Sequence, residues 1–481
     1  MKKIISKISI LAASALVIAG CEAIDPTNVV NPNLSEDALV GQPNSAEAWY
    51  WGMERQLAVT ANNNLIISEI VSDNYVNTQT FFNQFLDGLN VDYQDDDVDD
   101  SQFHIARLRE MAVFGLEEIL PNDANATDVQ RSEFLFFRAL SHLLAGMYYQ
   151  ELPGSAGGPV LSREVHLDAA IQYFTESNDV NANVGALIGI ARAQYLKGDA
   201  VAAISAADAA IAADAGAGFV RYITFDPQNS RGNSNSNNYT VNSLQDALYD
   251  RGSFDDLQPL PSLDFLDPKF VVVSGNEDSK IPLLKIEEAH LIKAEAQQSQ
   301  GSDGDAINTL TDLIGLVATR PTITVDDGAE NRTEREPGSR PDSTDITVDG
   351  MAGLVLYRGG GTVTIPSVSG TSYTAADLAG LSGDALLDAI YRIRQQVFIG
   401  EGMRSVDMGI TYVISQNEQL LNTANVSADM TVPDLPPFLV SIKDNIDAIT
   451  YDEVARTCTI DNDITAIIVS QKATDYVCPF H

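Results

Sequence analysis

Small and apolar residues recur at helical spacing between Asp168 and Ala213, and the rest of the chain is organised around this stretch. Asp168–Phe174 opens one helix, Val184–Leu196 forms a second and Val201–Ala213 a third. In the third, Ala203, Ala207 and Ala210 step by four and then three, which keeps them on one helical face. Gly198 supplies a left-handed stop, and Asp199 caps the helix after it. The frame returns downstream: Glu287–Gln300 reads as a helix, Gly301 ends it, and Ala306, Leu310 and Leu313 repeat the apolar face. Ala170 and Phe174 lie 33 residues before Ala203 and Ala207. That is close to the ~34-residue period of tetratricopeptide hairpins. The Trp and Pro of that consensus are absent, so an ordinary antiparallel helix pair gives the same pattern.

Further helices are expected at Ser45–Val59, Phe103–Leu120, Val129–Tyr149, Asp384–Ile399 and Val406–Gln419. In Val129–Tyr149, Phe134, Phe137, Leu140, Leu144 and Met147 repeat at helical spacing and belong to a core. Both tryptophans, Trp49 and Trp51, are expected to pack onto the helical array from Ser45–Val59. The remainder is irregular. Asn229–Tyr239 is a low-complexity polar loop, and Leu354–Tyr357 with Thr362–Ile365 reads as a hairpin around Gly359–Gly361. The last sixty or so residues read as loop and strand. The expected fold is mainly α: a tetratricopeptide-like helix-pair superhelix with an irregular loop-rich half. One domain spans residues 46–481. Its scaffold covers about 46–215, 280–318 and 384–420, and its loop-rich insertions about 216–279, 321–383 and 421–481.

Residues 1–20 read as an address. Lys2, Lys3 and Lys7 precede an apolar run, Ile8–Ala19, too short to span a bilayer. The run ends in Leu16-Val17-Ile18-Ala19-Gly20-Cys21, the pattern of a lipoprotein signal, with Cys21 as the thiol that takes the lipid. Residues 21–45 form a Pro-, Asn- and Asp-rich tether. Membrane contact is expected through this anchor alone. With Cys21 lipidated, Cys458 and Cys478 remain and are expected to form a disulfide in an exported protein.

Loss of the three leader lysines from 29 basic residues leaves 26 against 67 acids, a net charge of −41 in place of −38. Such a chain lacks the basic footprint that nucleic acid requires. The run Asp92–Asp100 packs six aspartates into nine residues. Calcium is conceivable there, but the Gly and Glu of an EF-hand loop are missing, and a solvated acidic turn is the simpler expectation. No other cofactor is called for. Asn74, Tyr75, Phe81, Phe82 and Tyr239 combine amides and rings in polar loops. Rings cover the C–H faces of sugars and amides satisfy hydroxyls, so these five are the candidate ligand-binding residues. The five histidines show no metal-protease spacing, and no GxSxG occurs. Glu287 and Glu288 sit on a scaffold helix, and Arg404, Asp407 and Glu401 are expected to form a helical ion-pair set. The chain is therefore expected not to be an enzyme.

Several segments together resemble one family, the SusD/RagB nutrient-binding outer-membrane lipoproteins. They are Cys21 with Asp25-Pro26, Ser72-Asp73-Asn74, Arg131–Pro153, Ile281–Gly301 and Ile390–Met408, in the family's order. The last contains Arg-x-x-x-Phe-x-x-Glu-Gly-x-Arg-x-x-Asp from Arg394 to Asp407, with Gln395 or Gln396 where the family carries Glu. The resemblance implies a protein anchored in the outer membrane and facing outward. It implies capture of a glycan or other oligomer for a SusC-like TonB-dependent transporter. Ligand identity does not transfer, because the family's binding loops vary. The alternative is a helical-repeat scaffold lipoprotein that binds only other envelope proteins.

Overall fold

The computed structural model describes residues 39–77, 84–225, 257–266, 279–326, 347–348, 351–352, 362–452, 454–455 and 457–481. The principal helices are α1 (Ser45–Ile70), α2 (Asp96–Phe114), α3 (Asp128–Tyr148), α4 (Arg163–Val180), α5 (Val184–Leu196), α6 (Ala200–Asp214), α7 (Ile286–Ser299), α8 (Asp303–Val317) and α9 (Gly383–Phe398). None of the described helices is long and apolar enough to cross a membrane.

Helices α3 to α8 form three successive antiparallel pairs, each packed on the next. The residues singled out by spacing make these contacts: Ala170, Phe174, Ala203, Ala207, Ala210, Ala306, Leu310 and Leu313 are all fully buried. Caps set the boundaries. Thr127 and Gln130 form a capping box on α3, Asn183 caps α5, and Asp199 accepts from Ala202 N at 2.9 Å on α6. Gly198 and Gly301 end their helices with φ of +73° and +75°.

Two helices are longer than the sequence pattern suggests. α1 continues past Val59 through Asn62-Asn63-Asn64, because the amides bond inside the structure. Asn64 Nδ2 donates to Thr60 O at 2.8 Å, and its Oδ1 accepts from Ser101 Oγ at 2.7 Å. α2 begins seven residues before Phe103, inside the aspartate run. Asp95 caps it by accepting from Asp97 N, and Asp96, Asp97 and Asp99 occupy the first turn, where the helix dipole favours negative charge. The run is thus a helix start rather than a free turn. Trp49 packs on Phe114 and donates to Met111 O, whereas Trp51 is left 61% exposed.

The array is interrupted in sequence but not in space. Val220–Ile223 leaves α6 and pairs antiparallel with Ile281–Lys285, which leads into α7. The long intervening segment therefore exits and returns at one stem. Opening a loop this way costs only slowly more entropy as the loop lengthens. A second stem pairs Thr322–Asp326 with Thr362–Pro366. This corrects the expected hairpin: Thr362–Ile365 pairs with the strand after α8, and Leu354–Tyr357 lies outside the described residues. The expected helix Val406–Gln419 is also corrected. Only Arg404–Asp407 and Gln416–Leu421 are helical, and Gly409, at φ +76°, breaks the run between them. The C-terminal segment adds a helix, Ile464–Ser470, packed on α9.

The expected disulfide is not formed. Cys458 and Cys478 are both free and buried. Cys458 lies in the strand Thr457–Ile460 opposite Tyr451, while Cys478 lies on the far side of Ile464–Ser470, with its thiol toward Ile468 O. Burial pushes the Cys458 thiol up to about 11 and the Cys478 thiol up to about 12. Neither should react with a thiol reagent at pH 8 in the folded chain, and both should react after unfolding without reductant. Mass spectrometry of alkylated protein checks this.

Candidate ligand-binding face

The sequence placed Asn74 and Tyr75 in an exposed loop. The structure buries both. Asn74 Nδ2 donates to Glu69 Oε2 at 2.7 Å, its Oδ1 accepts from Gln395 Nε2 at 3.2 Å, and its carbonyl accepts from Leu260 N. Tyr75 begins a short strand, Tyr75–Asn77, paired antiparallel with Leu257–Pro259. The reason is the neighbour Asp73, whose carboxylate is drawn into the core by Arg404 and takes the turn with it. These two residues are therefore the footing of the loop rather than ligand contacts. Phe81, Phe82 and Tyr239 lie outside the described residues.

The chain resumes at Gln84–Asp87, a single helical turn. Leu86 and Leu89 anchor it in the core, while Phe85 stands 73% exposed. An aromatic ring is thus held outward on a rigid base. Phe85 is not among the five residues chosen from the sequence, although the signal was present in an apolar pair, Phe85-Leu86, of which only one member can face inward on a single turn. Lys443 Nζ donates to Asn90 Oδ1 at 3.0 Å and ties this turn to the C-terminal segment.

Beneath Phe85, Asp87 faces Asp447. Burial and then the charge of Asp447 push the Asp87 carboxyl up to about 8. Burial, with Asp73 adding, pushes Asp447 up to about 6. The folded state therefore binds protons that the unfolded chain, with a carboxyl near 3.8, has released. Stability from this pair is present at low pH and is lost as pH rises through 6 toward 8. Asp87→Asn, which mimics the protonated form, should raise the melting temperature more at pH 8 than at pH 5. Thermal unfolding at the two pH values checks this.

The motif residues occupy a different place. They converge in the interior as a set of buried ion pairs. Arg404 donates to Asp73 at 2.5 and 2.9 Å, and Arg394 donates to Asp407 at 2.7 and 3.2 Å. Lys285 Nζ donates to Glu401 Oε1 at 2.6 Å and to the carbonyls of Val397 and Val368. Arg192 grips Glu288 at 2.5 and 2.7 Å, and Arg320 grips Glu287 at 2.6 Å twice. The expected local set Arg404, Asp407 and Glu401 is thereby corrected: each of the three takes a different, distant partner. Glu401 is set apart from the short helix Arg404–Asp407 by a turn, with Gly400 and Gly402 at φ +73° and +72°. Gln395, standing where a Glu is usual in the resemblance, donates to Asp73 Oδ2 at 3.1 Å, so an uncharged amide serves a carboxylate that already has Arg404.

The five pairs join α1, the repeat array and α9. Glu287 and Glu288, adjacent acids on α7, are each engaged by a guanidinium and are buried. Glu295 is also buried; Tyr391 OH donates to its Oε1 at 3.0 Å, and burial pushes its carboxyl up to about 7. Buried pairs of this kind add little net stability over apolar packing but tie distant segments into one register.

No family model matches the chain, and no curated protein matches it. Solved structures do. A SusD superfamily protein from Bacteroides fragilis superposes with a TM-score of 0.53 at 15% identity, over 80% of this chain and 99% of that one. A protein described as a laminarin-binding SusD-like protein superposes with a TM-score of 0.51 at 12% identity, over 84% of this chain and 98% of that one. The chain therefore has the SusD-like fold.

Proposed function

We propose that this protein binds a glycan on the face that carries Phe85 and passes it to a SusC-like TonB-dependent transporter, without chemistry of its own. The observation that carries the reading is the superposition on the laminarin-binding SusD-like protein over 84% of this chain. The arrangement of the site supports it. The motif carboxylates and guanidiniums are spent on one another inside the frame, so the chemistry left for a ligand is that of the loops. Phe85 offers an outward ring on an anchored turn, three residues after Phe82 in the sequence. In this reading Cys21 carries the lipid, residues 21–45 span from the outer membrane to α1, and the protein faces outward.

A glycan panel that includes laminarin oligosaccharides tests the binding. Phe85→Ala should weaken the best ligand at least tenfold, which is about 1.4 kcal/mol. Unchanged affinity rejects this face. Metabolic labelling with a fatty acid should mark the chain and not Cys21→Ser. Co-purification of a TonB-dependent barrel with the wild-type chain tests delivery, and its absence at native expression removes the transporter from the reading.

A further inference from the structure

Away from Phe85, a hollow of about 510 Å³ lies between the start of α4 and the C-terminal tail, with Gln150, Arg163, Thr411, Asp434, Asp475 and Tyr476 among its walls. A second hollow of about 190 Å³ adjoins it and shares Arg163 and Thr474–Tyr476. Together they fall in the ~300–1,000 Å³ range of small-molecule sites. The tail crosses between them as a strap. Gly198 and Gly409 admit it: a Cβ on either would meet the carbonyl oxygen of Pro479 or Tyr476 at 2.6 or 2.5 Å. Tyr476 OH donates to Asp434 Oδ1 at 2.8 Å and fastens it.

Arg163 is the wall common to both hollows. Its Nε donates to Gly146 O at 2.8 Å, and no carboxylate meets its guanidinium among the described residues. Arg192, Arg221, Arg320, Arg394 and Arg404 each grip a carboxylate, and half-buried Arg138 lies over the Tyr173 ring. Acids are not scarce, with 67 against 29 basic residues. Arg163 is also the first residue of α4, at the end of the helix dipole where a cation is disfavoured. Burial further lowers its hold on its proton. The guanidinium is thus kept half-buried, against its local field, where it lines both hollows. The surrounding acids are already turned elsewhere: Asp434 toward Tyr476, Asp407 toward Arg394. Asp475, like Asp434, is exposed at the rim.

We propose that this cleft is a second binding site, which takes a carboxylate-bearing sugar unit with Arg163 holding the carboxylate. A guanidinium that lines the hollow can hold a carboxylate through two parallel bonds. The Tyr476 ring, Thr411 and the Gln150 amide line the space for the hydroxyl-bearing ring. The anion preference stands on the geometry; the choice of a saccharide as its carrier rests on the proposed function.

Calorimetry on the full-length chain in detergent, titrated with trigalacturonate, laminaritriose and acetate, tests it. Trigalacturonate should bind and laminaritriose should not compete with it. Arg163→Met should weaken trigalacturonate at least tenfold at unchanged melting temperature. Asp475→Asn, a rim change that leaves the fold alone, should tighten it severalfold by removing a like charge; this variant decides the matter if Arg163→Met does not fold. Equal affinity for neutral and acidic trisaccharides, no effect of Arg163→Met on a folded chain, or no tightening in Asp475→Asn overturns the site. Trigalacturonate binding lost in Phe85→Ala but kept in Arg163→Met overturns it while leaving the glycan reading intact. Arg163-dependent binding of acetate with no affinity for either trisaccharide overturns the sugar and leaves only the anion site.

Discussion

Replacing Arg404 by methionine is expected to lower the unfolding free energy by about 3–5 kcal/mol, the cost of leaving a buried charge without its partner. Arg404 is 1% exposed. Its guanidinium donates to both Asp73 oxygens and to Thr465 Oγ1 at 3.0 Å. Without it Asp73 would keep Gln395 Nε2 as its remaining side-chain donor, too little for a carboxylate at this depth. The pair bridges 331 residues of sequence, joining the turn after α1 to the segment after α9. Adding Asp73→Asn to Arg404→Met should recover much of the loss, because the penalty belongs to the orphaned charge rather than to the absent pair. Urea unfolding of the single and double variants measures both. A loss below about 1 kcal/mol for the single variant would mean that water reaches Asp73 and screens it.

Gly402→Ala is expected to cost a comparable amount, by strain and crowding in place of charge. Gly402 sits at φ +72°, a conformation that costs an L residue roughly 1–2 kcal/mol. A Cβ there would also lie 2.6 Å from Tyr148 Oη and 2.7 Å from Leu65 Cδ2, and overpacking of this kind typically costs about 1–3 kcal/mol. The residue is held on all sides. Its N–H donates to Glu69 Oε1 at 2.6 Å, and its carbonyl accepts from Ser68 Oγ and Tyr148 OH, each at 3.0 Å. The summed loss of about 2–5 kcal/mol should appear in the same urea titration. Unlike the Arg404 variant, it should not be rescued by any change at Asp73. The two together explain Glu401-Gly402-Met403-Arg404: the acid meets Lys285, the glycine makes the turn, and the arginine reaches Asp73.

The sugar-facing reading fared unevenly in physical terms. Asn74 and Tyr75 carry the composition of a binding loop, but composition does not say whether an amide faces water or a buried carboxylate. Here the amide lies between Glu69 and Gln395. Phe85, a ring of the same kind eleven residues later, faces out because Leu86 and Leu89 take the inward positions of its turn. Exposure is a property of the whole surface around a residue, and it is not written in the few residues beside it. The same holds for Arg163, whose guanidinium pairs with no carboxylate among the described residues.

Helix positions were legible along the chain because a helix is a local object. The step from Ala203 to Ala207 to Ala210 and the cap at Asp199 all act within a few residues of one another, and they place α6 to within a residue at each end. Pairing across long separations was a different matter. Which strand closes the stem with Thr362–Pro366, which acid Arg404 meets and why two cysteines stay apart depend on where the repeat array brings distant segments together. The free energy of such a contact contains the loop closed to make it and the solvent removed around it. Neither quantity has a local signature, so the array had to be folded before those partners could be named.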